Sequence, residues 1–370
     1  MIDKGLIDRF RNIVNESDFV LFKYINNNEK NHWNCICSAM DWITVASEYI
    51  CTEPPSGSLG SIETYAYISS VDIIVEAVQQ LHRVLYNTKT PPFSNESAVF
   101  YDNQFGQTDM DYFKTIRACF GAHPVNLIDP SANDDPTKKR FASWSGGFAS
   151  DGDFSVFLYS NQIDGQNLSL DIYFYQIDAF LEKYYNYLES LIVEIKRQRN
   201  EFNSNFRKRK IQCSGNPLEQ LSVLRQESVL RLNNTYYKTT LDALKRLFET
   251  PVSSSNNIGI VCQYHTKLIV LIEEIQTNLQ NMRLTDLKYG YLLHLRPKGL
   301  PDGWGYWIEK LSEYVGGAGH HPCTWESEIK ELFSGLFELR YESYNELYLL
   351  VNAALYQLHQ QNSECLSDRI

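Results

Sequence analysis

A chain of 370 residues is longer than one hydrophobic core usually serves, so two domains are expected. Apolar residues make up 43% and charged residues 21%, which excludes wholesale disorder. The formal net charge of −11 excludes attachment to nucleic acid or an anionic membrane through bulk charge, so any such contact needs a local basic patch.

MIDKGLIDRF lacks the basic start and apolar run of a signal peptide. No apolar run reaches the roughly 18 to 20 residues that span a bilayer. Cysteines spread from Cys35 to Cys365 fit reduced thiols better than a disulfide framework. The expectation is a cytoplasmic protein with no membrane partner.

In chain order, residues 2–14 place Ile2, Leu6, Phe10, Ile13 and Val14 at helical spacing. Residues 30–51 are helix-compatible and end at the Pro/Gly/Ser-rich loop 53–61. Ser61 opens a long helix whose stripe is Ile62, Tyr65, Ile68, Val71, Ile74, Val78, Leu81 and Leu85. The polar segment 88–109 is irregular. Helix resumes at about Asp109, whose side chain can cap the first turn, and stops at His123, because Pro124 disfavours helical geometry in the residue before it. Four helices with one long connection therefore make an N-terminal domain over 1–130.

PSANDDPTKKR, 130–140, reads as the domain boundary or an exposed loop. Beyond it FASWSGG, DFSVFLYS and LSLDIYFYQ read as short strands, the last two joined by the hairpin NQIDGQN. A sheet of two or three antiparallel strands is expected over about 139–175. Helix returns near 176 with Ile177, Phe180, Leu181, Tyr184, Leu188, Leu191, Ile192 and Ile195 on one face. Further helices are expected at 216–249, 260–283, 303–315 and 325–359. The fold class is mainly α, in the α+β sense: an N-terminal helical bundle, then a domain over 131–370 holding the small sheet and a C-terminal helical region.

The sharpest candidate site is Arg117 with His123. On an ideal helix, residues six apart differ by about 120° around the axis and about 9 Å along it, so both side chains can flank one phosphate. The negative end of the helix dipole favours a protonated imidazole at His123. An arginine fork suits phosphate oxygens, and a histidine can move the proton when a ribose 2′-hydroxyl attacks the adjacent phosphorus. The substrate supplies that nucleophile, so no cofactor or metal is expected.

Arginine, four to six residues, then histidine near a helix end in an all-helical domain resembles the HEPN superfamily. The resemblance covers about residues 1–130 and rests on Arg117 and His123. It implies a four- to five-helix bundle, a homodimer with the motifs of both subunits facing one cleft, and metal-independent RNA cleavage. It also implies a role in toxin–antitoxin or phage-defence systems, with an antitoxin or other protein as partner. Active members usually carry a polar residue after the arginine, and here Ala118 follows. That departure keeps open a non-catalytic module for dimerisation, protein interaction or accessory RNA binding.

KRQRNEFNSNFRKRK, 196–210, holds seven basic residues and one acid: Lys196, Arg197, Arg199, Arg207, Lys208, Arg209 and Lys210 against Glu201. It reads either as a track for an RNA backbone, with Phe202 and Phe206 stacking on bases, or as a solvated helix end whose cations offset the dipole. Lys138, Lys139 and Arg140 form a smaller basic cluster that could serve the same track or be plain loop charges. His320, His321 and Cys323 in GGAGHHPCTW resemble zinc ligands without a companion pair, and His32, Cys35 and Cys37 read as residues of a mostly buried helix. A P-loop, a dinucleotide-binding glycine turn, a Gly-x-Ser-x-Gly elbow and an HExxH helix are all absent from the sequence.

Overall fold

A computed structural model of the chain describes all residues except 1, 28, 53–59, 123–124, 131–136, 144–151, 232–234, 297–299, 301–302, 318–321, 323–324, 336, 339 and 368–370. The chain is mainly α with one small antiparallel sheet, as its periodicities predict. It divides into two compact units, Met1–Asn200 and Glu201–Ile370.

In the first unit the helices are α1 (Gly5–Asn15), α2 (Phe19–Ile25), α3 (His32–Thr52), α4 (Ser61–Tyr86), α5 (Asp109–Arg117) and α6 (Phe174–Asn186). The start of α7 (Leu188–Lys208) also belongs to it. Helix α2 was not expected; its apolar run buries Phe19, Val20 and Tyr24. On α4 the stripe from Ile68 to Leu85 is buried, but Ile62 and Tyr65 in its first turns are exposed. Glu63 accepts the Gly60 N–H at 2.7 Å and fixes where α4 begins.

The sheet is a meander of four strands, one more than the most expected: β1 (Leu127–Ile128), β2 (Lys139–Ser143), β3 (Phe154–Ser160) and β4 (Leu168–Ile172). The segment 161–167 joins β3 to β4, as its turn residues predict.

The expected boundary at 130 falls inside the first unit, because α6 carries the aromatic half of its core. Phe174 meets Tyr67 of α4 edge-on, and Phe180 stacks on Phe113 of α5 with ring centroids 4.8 Å apart. On α7 the buried amide of Gln198 accepts from Tyr24 Oη at 2.8 Å and donates to the Leu85 carbonyl at 2.7 Å, joining three helices.

The second unit contains the end of α7, α8 (Pro217–Leu230), α9 (Lys238–Glu249), α10 (Ile258–Gln280), α11 (Trp304–Val315), α12 (Glu326–Leu332) and α13 (Tyr344–Ser367). Asn216 and Glu219 cap α8 reciprocally, with Pro217 in its first turn. In its core Leu268, Leu271, Ile272 and Ile275 of α10 and Leu347, Val351 and Ala354 of α13 are fully buried, together with the rings of Tyr264, Trp325 and Phe333.

The continuous helix expected at 325–359 is broken between α12 and α13. Gly335 takes a left-handed backbone (φ 107°), and the Asn257 side chain brackets Glu338 from both sides, donating to its carbonyl and accepting its N–H. The buried Glu346 carboxylate then accepts N–H groups from Ser253 and Glu342 and fixes the start of α13. Among the described residues no helix is long and apolar enough to cross a membrane.

Candidate functional site

Helix α5 is short and sharply two-faced. Met110, Phe113 and Ile116 are buried, and Arg117 follows on the open side. Thr108, not Asp109, caps it, accepting the Asp111 N–H at 3.2 Å. Asp109 is instead buried, and its carboxylate accepts the N–H groups of Ala98, Val99 and Phe100 at 3.0–3.2 Å. Lys183 Nζ lies 3.6 Å away. Three backbone donors on one carboxylate pin the irregular segment before α5 and so set where Arg117 lies.

The expected helix to His123 changes character after Arg117. Residues Ala118–Ala122 form a single π-helical turn, a feature frequent at functional sites. Cys119 within it is buried, and burial pushes its thiol up to about 12, so it stays protonated and unreactive. Phe120 packs on Phe154 of β3, tying the turn to the sheet.

Arg117 points at α4. Its Nη1 donates to both carboxylate oxygens of Asp72, at 2.9 and 3.1 Å. The Arg117 side chain is 39% exposed and that of Asp72 22%. Among the described residues this is the hydrogen-bonded partner of the guanidinium, so one of its nitrogens is anchored and the group keeps an open side. Asp72 also offsets part of its charge. His123 lies outside the described residues, so the pair has one placed member.

The basic run is mostly engaged. Arg197 pairs with Glu194 at 2.7 Å, and Arg199, only 16% exposed, pairs with Glu16 at 2.6 Å. In the second unit Arg207 donates to the Asn281 carbonyl and Arg209 to Glu227. Phe206 lies beneath the guanidinium groups of Arg209 and Arg231, 4.9 and 5.2 Å from its ring centre, so it is not open to a base. Lys196, Lys208 and Lys210 remain exposed.

The offset of the helix end comes from a residue the sequence did not single out. Buried Arg231 donates to the Phe206 and Arg209 carbonyls and to Glu227. In the smaller cluster Arg140 is also buried, against Asp129 at 2.8 Å and the Leu158 and Gln166 carbonyls. It is therefore withdrawn from any phosphate track. Lys138 is exposed and Lys139 half-buried.

His320, His321 and Cys323 fall outside the described residues, and among the described ones no group of three or more His, Cys, Asp and Glu could hold a metal ion. His32, Cys35 and Cys37 lie on helix α3, each half-buried. Cys35 borders a groove of about 330 Å³ between α3 and α4, lined by Ser38, Ala39, Trp42, Ile73 and Ala77. Trp42 and Val45 on this side of α3 are 53% and 57% exposed.

Asp72 was missed as a partner. The only signal for it was an acid one position off the apolar stripe of α4, and nothing in the sequence tells such an acid from a solvated one. Comparison with family models, with curated proteins and with solved structures returns no match.

Proposed function

We propose that the chain is a metal-independent RNA endonuclease, with Arg117 binding the scissile phosphate and His123 moving the proton, and that it acts as a bacterial toxin or phage-defence effector. The observation that carries this reading is the anchored, half-open guanidinium of Arg117 at the entrance to the π-helical turn. Asp72 orients the fork, and the open side is left to meet two phosphate oxygens. The ribose 2′-oxygen attacks phosphorus as it loses its proton, and the bond to the 5′-oxygen breaks as that oxygen gains one. The products carry a 2′,3′-cyclic phosphate and a 5′-hydroxyl.

The test is RNA cleavage in EDTA by wild-type protein, Arg117→Ala and His123→Ala, with analysis of the product ends. Cleavage that survives EDTA, leaves cyclic phosphates and vanishes in both variants is the expected result. Folded wild-type protein that leaves diverse RNAs intact, or equal cleavage by all three proteins, sinks it.

A second reading, a non-catalytic homodimerisation module, is favoured by the α3/α4 groove. Apolar and small residues at helical spacing on two adjacent helices can meet their own copy across a two-fold axis. Trp42→Glu should then convert a dimer to a monomer in sedimentation; a monomeric wild type removes this reading.

A further inference from the structure

The sheet has two faces of different chemistry. The inner face is buried and mostly aliphatic, with Leu127, Val156, Leu158, Leu170 and Ile172 beside Phe154 and the Asp129-paired Arg140. Strand alternation puts Ile128, Lys139, Phe141, Phe157 and Tyr159 on the other face. Phe141 and Tyr159 are directly opposed across β2 and β3, and they are 41% and 46% exposed. Phe157, half-buried, stands two residues from Tyr159 along β3.

This face interleaves rings with the hydroxyls of Ser143, Ser155 and Ser169. The carboxylate on this face, Asp171, is engaged by the Ser155 hydroxyl. Lys139 and the exposed Lys138 stand at the start of β2, in a chain of net charge −11.

We infer that this face is a platform for single-stranded RNA, with bases stacking on Phe141 and Tyr159 and the backbone passing Lys138 and Lys139. Stacking is sequence-tolerant, because every base has a π face, and it requires unpaired bases, which a duplex does not offer. The inference takes RNA as the ligand, as in the function proposed above, but does not depend on cleavage.

The test is fluorescence anisotropy with a labelled 2′-O-methyl oligonucleotide, which lacks the nucleophilic hydroxyl and cannot be cut. Phe141→Ala combined with Tyr159→Ala should weaken binding by about 10- to 100-fold. Phe141→Tyr and Tyr159→Phe keep the rings and should keep the affinity, which separates stacking from a fold defect. Lys138→Ala with Lys139→Ala should flatten the salt dependence, and the matching duplex should bind more weakly than the single strand.

Wild-type protein without saturable binding in low salt overturns the inference, as does equal affinity in the double alanine variant. Self-association that is lost in that variant while oligonucleotide affinity stays constant assigns the face to a protein contact instead. Ring-dependent binding without cleavage of the ribo-oligonucleotide keeps the platform and removes the nuclease. Cleavage with unaltered affinity in the double variant does the reverse.

Discussion

The ends of α5 and α7 both carry arginine, and they use it in opposite ways. At the end of α5, Arg117 is held by one carboxylate and stays 39% exposed. At the end of α7, the Arg231 side chain is 1% exposed and bonds two carbonyls of the helix terminus together with Glu227. The first end shows two basic residues in sequence, Lys114 and Arg117; the second shows seven. Yet the crowded end spends much of its cationic capacity on its own architecture. Local density of basic residues therefore measures availability poorly. Exposure and the number of acceptors already satisfied measure it better.

The largest expected effect sharpens this contrast. Arg231→Met keeps volume but removes the buried donor of the Phe206 carbonyl and one of the two arginines on Glu227. The cost should be about 3–5 kcal/mol, read as a lower midpoint in urea unfolding. At the other helix, Asp109→Ala strands three N–H groups in a buried site and should cost about 2–4 kcal/mol. Arg117→Ala should cost about 1 kcal/mol or less, since its pair is partly solvated, while abolishing cleavage. A loss at Arg117 as large as that at Arg231 would make the pair a structural clamp and break the comparison.

The helical stripes were legible because burial follows period: Ile68 to Leu85 on α4 and Ile177 to Ile195 on the paired helices α6 and α7 show it directly. The strands were legible for the same reason. What escaped was polar and long-range. Asp109 was read as a cap because a helix start offers local N–H donors, but its donors lie nine to eleven residues back. Arg140 sits in a run of lysines, yet strand alternation turns it inward toward Asp129. The break at 333–343 depends on Asn257, some 80 residues away. At the candidate site, Arg117 was legible as a residue type at a helix end, and Asp72 was not, because pairing across helices leaves no local pattern.

A smaller effect should appear with pH in the second unit. Burial lowers the His265 pKa from its ordinary 6.5, while Nε2 lies 3.1 Å from the Leu247 carbonyl oxygen. The unfolded chain therefore takes up a proton that the folded one resists. This contribution is complete above about pH 6.5 and is lost as pH falls below it, down through the depressed folded value. In the first unit His82 on α4, also lowered by burial, acts in the same direction. His265→Gln should reduce the acid-side fall in melting temperature.

The smallest stability effect tests the crowded helix end itself. Lys208 and Lys210 are exposed, so Lys208→Gln with Lys210→Gln should leave the urea midpoint unchanged within about 0.5 kcal/mol. Their role with RNA is read from the slope of log affinity against log salt. Each phosphate-contacting lysine contributes about one unit to that slope. With Phe206 beneath two guanidinium groups and Phe202 against it, ring centres 4.7 Å apart, the rings at this end are already engaged. The slope should therefore stay constant in this double variant and fall by about two units in Lys138→Ala with Lys139→Ala. The opposite result would mean that a helix end largely occupied by its own contacts still carries the backbone, and that exposed lysines suffice without a stacking surface.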